Sequence, residues 1–174
     1  FKEKESMDIS IRKWKIEDAE QLKNAINNEK ILDNLRDGIP YPYTIENAQE
    51  FITQTLNAPK DSQYSWAILV DNKVIGSVGV FRKDNIHYQT AEIGYYIAEE
   101  YWGNGIMTKV ITEVCNYIFN ETDIIRIFAE PFAYNVASCK VLEKAGFELE
   151  GILRNNAIKN NKILDMKMYS IIKK

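Results

Sequence analysis

Hydrophobic and polar residues follow two different spacings in the first third of the chain. Apolar and polar positions alternate over 8–14, DISIRKW, which predicts a half-buried strand. Apolar residues recur every three or four positions over 16–26, 31–35 and 45–56, which predicts three helices, each with one apolar face. Thr44 gives the third helix a side chain suited to cap its first turn.

The middle of the chain has the spacing of strands. Segments 64–70 and 73–81 flank the turn-forming pair Asp71-Asn72, which predicts a β-hairpin, and TAEIGYYIA at 90–98 predicts the next strand. Strands gathered in this way favour antiparallel pairing.

The last part of the chain alternates between helices and strands. In chain order we expect a helix with Met107, Val110, Ile111, Val114 and Ile118 facing inward, a buried strand at 124–130, a helix at 135–147 closed by Gly146, and strands at about 147–154 and 162–172.

The order of elements predicts an α/β fold of the α+β kind, with a mixed, mostly antiparallel sheet flanked by helices. The strand–helix–strand connection from about 90 to 130 is the one obvious parallel step. We expect a single domain over 8–172 and set aside 1–7 as a tail or as added residues.

Composition narrows the functional classes. The chain has 174 residues, 45% hydrophobic and 27% charged, and no stretch reaches the roughly 20 apolar residues of a membrane span. A net charge of −3 argues against nucleic-acid binding. Cys115 and Cys139 lie in helical patterns without further ligands at metal-binding spacing, which argues against zinc and disulfides. Since no secretory signal is visible, we expect a cytoplasmic protein without a metal or a membrane partner.

The segment YWGNGIMTKV at 101–110 begins a helix with residues that weaken helices. It is either a tight turn or an anion site, because the first N–H groups of a helix lack intrahelical partners and Gly103 and Gly105 leave them accessible. The Thr108 hydroxyl lies one turn further. A dinucleotide-binding fingerprint needs glycine at position 108, and a P-loop needs Gly-Lys-Ser/Thr, so both fail.

Two blocks, AEIGYYIAEEYWGNGIMTKV and RIFAEPFAYNVASCKVLEKAGFELEGILR, resemble the GNAT acetyltransferase superfamily, and within it the ribosomal-protein-alanine N-acetyltransferase branch. The resemblance covers about 8–172 and is strongest over 90–154. It implies a GNAT-like fold and transfer of an acetyl group from acetyl-coenzyme A (acetyl-CoA) to an amine.

The resemblance implies that the pyrophosphate of acetyl-CoA binds backbone amides at the start of the long helix. The family motif Gln/Arg-x-x-Gly-x-Gly/Ala is here Trp102-x-x-Gly105-x-Met107, and Met107 departs from it. The implied cofactor-binding residues of this loop are Trp102, Gly103, Asn104, Gly105, Ile106, Met107 and Thr108.

On the preceding strand, the resemblance implies one free amide for the acetyl oxygen and another position for the pantetheine arm. These are Tyr95 or Tyr96, depending on a bulge, and Ile97. Alternation places Glu92 and Gly94 on the face of Tyr96, and Glu92 is the candidate general base. Glu92 is equally well a salt-bridged strand residue, and a water chain can also deprotonate an amine.

Asn135 and Ser138 lie three residues apart at the start of a helix and can face one ligand. The resemblance implies that Asn135 contacts the cofactor arm and that Ser138 protonates the leaving thiolate. On the residues alone, Asn135 is equally an N-cap. Tyr134 is either an alternative acid or, more commonly for a tyrosine, a packed side chain. The glutamate that the branch can use as base after EG-x-x-R falls on Ala157, so that role is missing here.

The acceptor side is the least defined part of the site. PYPYT at 40–44 resembles the acceptor-side loop of the branch. Tyr41, Tyr43 and Trp66 either line an acceptor pocket or pack in the core or at its rim.

We therefore expect an acetyl-CoA-dependent N-acetyltransferase with Glu92, Tyr96 and Ser138 as catalytic candidates. A primary amine, on a protein N-terminus or a small molecule, attacks the thioester directly. The alternative is an acetyl-CoA-binding regulatory protein without turnover, and a dinucleotide-binding module is a weaker one. Monomer and homodimer both fit the sequence.

Overall fold

A single mixed sheet organises the chain. In the computed structural model, which describes residues 6–174, seven strands pair in the order β1-β2-β3-β4-β5-β7-β6. The strands are β1 (Ile9–Arg12), β2 (Gln63–Val70), β3 (Lys73–Arg82), β4 (Thr90–Ile97), β5 (Arg126–Ala129), β6 (Glu148–Lys159) and β7 (Lys162–Ile172). The helices are α1 (Ala19–Ile26), α2 (Glu29–Leu32), α3 (Ile45–Leu56), α4 (Ile106–Glu121) and α5 (Val136–Lys144). Only β4 and β5 pair in parallel, so the predicted fold class is confirmed. Of the tail predicted at 1–7, residues 1–5 lie outside the described residues.

Local signals in the sequence account for most element boundaries. Asp71 and Asn72 have φ values of 49° and 65°, the left-handed conformations that a two-residue hairpin turn needs between β2 and β3. The Thr44 hydroxyl accepts the Asn47 N–H at 3.1 Å, so Thr44 caps α3 as predicted. Gly146, with φ of 94°, follows the last turn of α5.

Strands β4 and β5 separate after a short parallel ladder. Thr90–Glu92 pair with Arg126–Phe128, but β4 continues to Ile97 with β3 as its only strand partner among the described residues. The chain after β5 stays with β7, because Pro131 cannot donate to a ladder with β4 and Phe132 bridges to Met166. The result is a wedge-shaped opening beside the second half of β4.

Helices cover both faces of the sheet. On one face, α1 and α3 bury Leu22 and Ile52 completely. On the other face, α4 and α5 bury Ile111 and Leu142 completely. The apolar spacing predicted the buried centres of α1, α3 and α4 correctly, but Ile16 and Leu56, at the ends of two predicted faces, are exposed. Within residues 6–174, no helix combines the length and the apolar character needed to cross a bilayer.

Strand β6 is longer than the sequence predicts. It was expected to end near 154, but it continues to Lys159 through an irregular stretch where its register against β7 shifts between Leu153 and Ala157. Asn155 has a φ of 52°, and its N–H donates to the Asp165 carboxylate at 2.8 Å. An irregular stretch of this kind breaks the period of two on which strand prediction depends.

Candidate active site

The opening between β4 and β5 exposes backbone groups of β4. Three hydrogen bonds set their directions. Thr90 O accepts from Lys83 N, directly after β3, at 2.9 Å, and Ala98 N donates to Ile75 O of β3 at 2.8 Å. On the other edge, Gln89 O accepts from Ile125 N, directly before β5, at 2.9 Å. Because successive residues of a strand point their N–H and C=O groups to opposite edges, the even-numbered residues face β3. The register between β3 and β4 has no shift. The N–H groups of Tyr95 and Ile97 therefore point into the opening, and that of Tyr96 points to β3.

Trp102 lies at one end of the opening. Its indole N–H donates to the carbonyl oxygen of Ile97 at 3.0 Å, on the same edge of β4. The ring remains 42% exposed, so it forms part of the rim rather than of the core. This bond ties the glycine loop that follows to the end of β4.

The loop before α4 leaves its backbone accessible. Gly103 and Gly105 have φ values of 76° and 73°, and a Cβ added to either would meet no atom beyond its chain neighbours within 4 Å. The first bond at the start of α4 runs from Lys109 N to Gly105 O, at 3.3 Å. The N–H groups of Ile106, Met107 and Thr108 come before it, so they have no partner within the helix.

The side chains of the loop do not cover these backbone N–H groups. Asn104 turns back, and its amide donates to the carbonyls of Tyr101 and Trp102, both at 3.1 Å. Met107 is 8% exposed and packs into the core beneath α4, so the departure from the small residue of the family motif does not place a side chain over the amides. The start of α4 can therefore hold a phosphate group.

Across the opening from β4, the first turn of α5 carries Ser138. The Asn135 side chain caps α5 and accepts the Ser138 N–H at 3.2 Å. The Ser138 hydroxyl lies 2.6 Å from the Tyr95 hydroxyl, which extends from β4 on the α4–α5 face. Burial raises the pKa of Tyr95 to about 12, so its hydroxyl is protonated at neutral pH. Cys139 is buried in the core cluster beneath α4 and α5.

An ionic cluster lies on the opposite face of the sheet, at the same opening. Arg36 Nη2 is 2.9 Å from a carboxylate oxygen of Glu92 and 3.4 Å from one of Glu130. The Glu92 side chain is 18% exposed, whereas that of Arg36 is 62% exposed. Glu92 is thus ion-paired, as expected if it is a salt-bridged strand residue. Its carboxylate still borders solvent.

Arg36 belongs to a segment, 33–37, that is tied to the other side of the opening. Tyr134 donates its hydroxyl proton to the Asp33 carbonyl. At the β6–β7 turn, Asn160 donates to the Asp33 carboxylate at 3.2 Å, and Lys159 lies 2.8 Å from the Asp37 carboxylate. The 33–37 segment therefore crosses from α2 towards β6 and β7 on the α1–α3 face.

The structure separates the aromatic residues that the sequence proposed for the acceptor. Tyr43 is buried among α1 and α3, and burial raises its pKa to about 12. Tyr41 is exposed and borders a shallow depression beside α2 and Glu99. Trp66 packs edge-to-face on Tyr117 at 5.5 Å, on the α4 side of the sheet.

Tyr96 lies on the face opposite to Tyr95. Its ring packs against the α1–α3 cluster, and burial raises its pKa. With no bulge in β4, neither its amide nor its ring is directed along the edge that faces the opening. Of the two amides left open by the sequence, that of Tyr95 therefore faces the opening.

Sequence reasoning missed Arg36, Glu130 and the hydroxyl of Tyr95. Arg36 lies in a break between helical patterns, where no spacing signals a partner. Glu130 directly follows a strand, and a charged residue in that position could have been flagged. Among residues 6–174, no group of three or more histidine, cysteine, aspartate or glutamate side chains is arranged to hold a metal ion.

Comparison of the chain with known proteins identifies its family. The protein-family model described as "Acetyltransferase (GNAT) domain" matches residues 8–148 of the chain. The "Probable N-acetyltransferase YjcK" of Bacillus subtilis is 37% identical over 133 residues, which are 75% of this chain and 74% of that protein.

Solved structures share the whole fold. The ribosomal-protein-S5-alanine acetyltransferase from Vibrio fischeri has a TM-score of 0.85 and 23% identity, over 97% of both chains. The microcin C7 self-immunity acetyltransferase MccE, solved in complex with acetyl-CoA and AMP, has a TM-score of 0.82 and 25% identity, over 95% of this chain and 92% of that one.

Proposed function

Because the chain belongs to the GNAT acetyltransferase family, we propose that its β4–β5 opening binds acetyl-CoA and that an amine attacks the thioester there directly. The observation that carries this proposal is the pair of N–H groups, of Tyr95 and Ile97, that point into the opening between the glycine loop and Ser138. Acetyl-CoA supplies the acetyl group, and the chain supplies binding, orientation and hydrogen bonds.

The glycine loop and β4 would hold the two ends of this substrate. The amides of 106–108 fit a pyrophosphate, because Gly103 and Gly105 leave the approach to them open. The N–H of Ile97 fits an amide oxygen of the pantetheine arm, and the Asn135 side-chain amide fits the same arm. The N–H of Tyr95 would then stabilise the acetyl oxygen as it gains charge.

The two candidate proton-transfer groups lie on opposite faces of the sheet, with the opening between them. Glu92 and Arg36 lie on the α1–α3 face, and Ser138 lies on the α5 face. An amine that arrives from the first face can lose its proton to Glu92 or to water. The sulfur then leaves towards Ser138, which supplies a proton.

The acceptor is a primary amine, on a protein N-terminus or a small molecule. Glu92 and Glu130 outnumber Arg36 at the opening on the α1–α3 face, from which the amine would arrive. An excess of carboxylates favours a ligand that arrives as a cation. The 33–37 segment, rather than Tyr43 or Trp66, would line the side of the opening where the acceptor amine binds.

Release of coenzyme A thiol from acetyl-CoA tests the proposal, with a panel of polyamines, amino acids and peptides that differ in their N-terminal residue. We expect release with one class of acceptor and loss of release in Gly105→Asp. Tight acetyl-CoA binding without release for any acceptor would instead favour the regulatory alternative. Absence of acetyl-CoA binding would refute the proposed function altogether.

A further inference from the structure

The hydroxyl groups of Tyr95 and Ser138 form a pair at the α4–α5 face of the opening. We propose that Tyr95 is a positioning residue, whose hydroxyl donates to Ser138 Oγ and directs the Ser138 proton towards the leaving sulfur. This inference rests on the proposed function, and it adds a side chain of β4 to the leaving-group side of the reaction. The short O···O distance of 2.6 Å carries it.

Both partners are held in place by contacts outside the pair. The Tyr95 ring packs against the buried cluster beneath α4 and α5, which restricts the position of its hydroxyl. Ser138 is held through its N–H by the Asn135 cap. Because the two residues are 43 positions apart, the pair also ties β4 to α5 at the point where the sheet separates.

The chemistry of the two hydroxyls determines which one donates. A phenol is the more acidic hydroxyl, and therefore the better donor, and burial keeps that of Tyr95 protonated. With Tyr95 as donor, the Ser138 proton is free for a third group. Within residues 6–174, neither hydroxyl makes another hydrogen bond to a side chain. The opening is the remaining direction for the Ser138 proton.

The hydrogen bond donated by Tyr95 makes Ser138 a stronger donor, and Tyr95 keeps its own proton throughout. As the bond between the amine nitrogen and the carbonyl carbon forms, the C–S bond breaks and its electron pair goes to sulfur. Ser138 gives its proton to sulfur and regains one from water, while the amine releases one, so protons balance. A hydrogen bond accepted by Ser138 makes its own O–H a stronger donor.

A double-mutant cycle separates this role from a purely structural one. We expect Tyr95→Phe to lower kcat about ten-fold with KM changed less than about two-fold, as for loss of one hydrogen bond in the transition state. In a Ser138→Ala background, Tyr95→Phe should lower kcat no further. Tyr64→Phe is the matched control, because Tyr64 packs on the same face and its hydroxyl contacts Asp61 and Arg82 instead.

The thiol of bound coenzyme A provides a readout without turnover. Its pKa, followed by the ultraviolet absorbance of the thiolate, should be below that of free coenzyme A in the wild type and should rise in Tyr95→Phe. An unchanged thiol pKa, or equal and additive losses of kcat in the cycle, would overturn the role of Tyr95 and leave the acetyltransferase proposal intact. Failure of the wild type to bind coenzyme A would overturn both.

Discussion

Gly105→Asp places a negative charge where the proposed function requires a pyrophosphate. Gly105 directly precedes α4, its φ is 73°, and a Cβ at this position would meet no atom beyond its chain neighbours within 4 Å. A side chain at this position therefore extends into solvent at the mouth of the phosphate site, and its fit costs the fold only backbone strain. Gly105→Ala isolates that strain from the effect of charge.

Two energies follow from this geometry. A non-glycine residue in the left-handed region costs roughly 1–2 kcal/mol of folding free energy. Each kcal/mol lowers the melting temperature of a chain of this size by about 2–4 °C. A carboxylate about 4 Å from a phosphate charge costs about 1–4 kcal/mol, depending on solvent screening, which weakens binding roughly 5- to 1000-fold.

Isothermal titration calorimetry with acetyl-CoA distinguishes the two energies. Gly146→Ala is the matched control, because Gly146 also has a positive φ, of 94°, and follows α5 rather than preceding α4. It should lower the melting temperature as Gly105→Ala does and leave Kd unchanged. Gly105→Asp should weaken binding further than Gly105→Ala, and less so at high salt. A wild-type Kd in folded Gly105→Asp would refute the phosphate site.

The remaining predictions concern the ligand, the leaving group and stability. Acetyl-CoA should raise the melting temperature and NADH should not, as measured by differential scanning fluorimetry; stabilisation by NADH alone would contradict the family-based site. Ser138→Ala should lower kcat more than it changes Kd for acetyl-CoA, and full turnover would remove Ser138 from the chemistry. Arg126, 2.5 and 2.8 Å from the two oxygens of Glu150, lowers the pKa of that carboxyl to about 2. The pair should therefore stabilise the fold above about pH 4.5 and lose that effect as the pH falls towards 2. Because Glu150 is exposed and Arg126 only half-buried, chemical denaturation should show a difference of under about 1 kcal/mol between wild type and Glu150→Gln at pH 6, and this difference should shrink as the pH falls towards 2. Ile111→Ala should cost about 2–5 kcal/mol of unfolding free energy, since Ile111 is completely buried, whereas exposed Ile163→Ala should stay within about 0.5 kcal/mol.

Short-range signals predicted the elements and the glycine loop. The pair Asp71-Asn72 forms its turn because both residues tolerate a positive φ, and Thr44 caps α3 because its hydroxyl reaches an N–H three residues on. These are interactions between near neighbours, so sequence spacing contains them. Strand β6 departed from its predicted bounds because its irregular register depends on Asp165 in another strand. The short helix expected over 31–35 also differs, since α2 spans Glu29–Leu32.

Sequence spacing could not predict the contacts at the candidate site between residues that are far apart in the chain. Arg36 meets Glu92 across 56 positions, and Tyr95 meets Ser138 across 43. Trp66 was grouped with Tyr41 and Tyr43 by residue type, yet alternation in β2 directs it to the α4 face. Which face a strand residue occupies follows from spacing, but which helix covers that face does not.

By itself, the sequence determined the kinds and order of the elements, most of the buried positions of α1, α3 and α4, and the accessible backbone of the glycine loop, because each depends on residues within one or two turns of one another. Only the tertiary structure decided that β4 and β5 separate after Glu92, since that depends on β5 following β7 past Pro131. The same separation directs the Tyr95 and Ile97 amides into the opening and places Glu92 and Ser138 on its two sides. The candidate chemistry thus depends on where two strands cease to pair, which neither strand encodes alone.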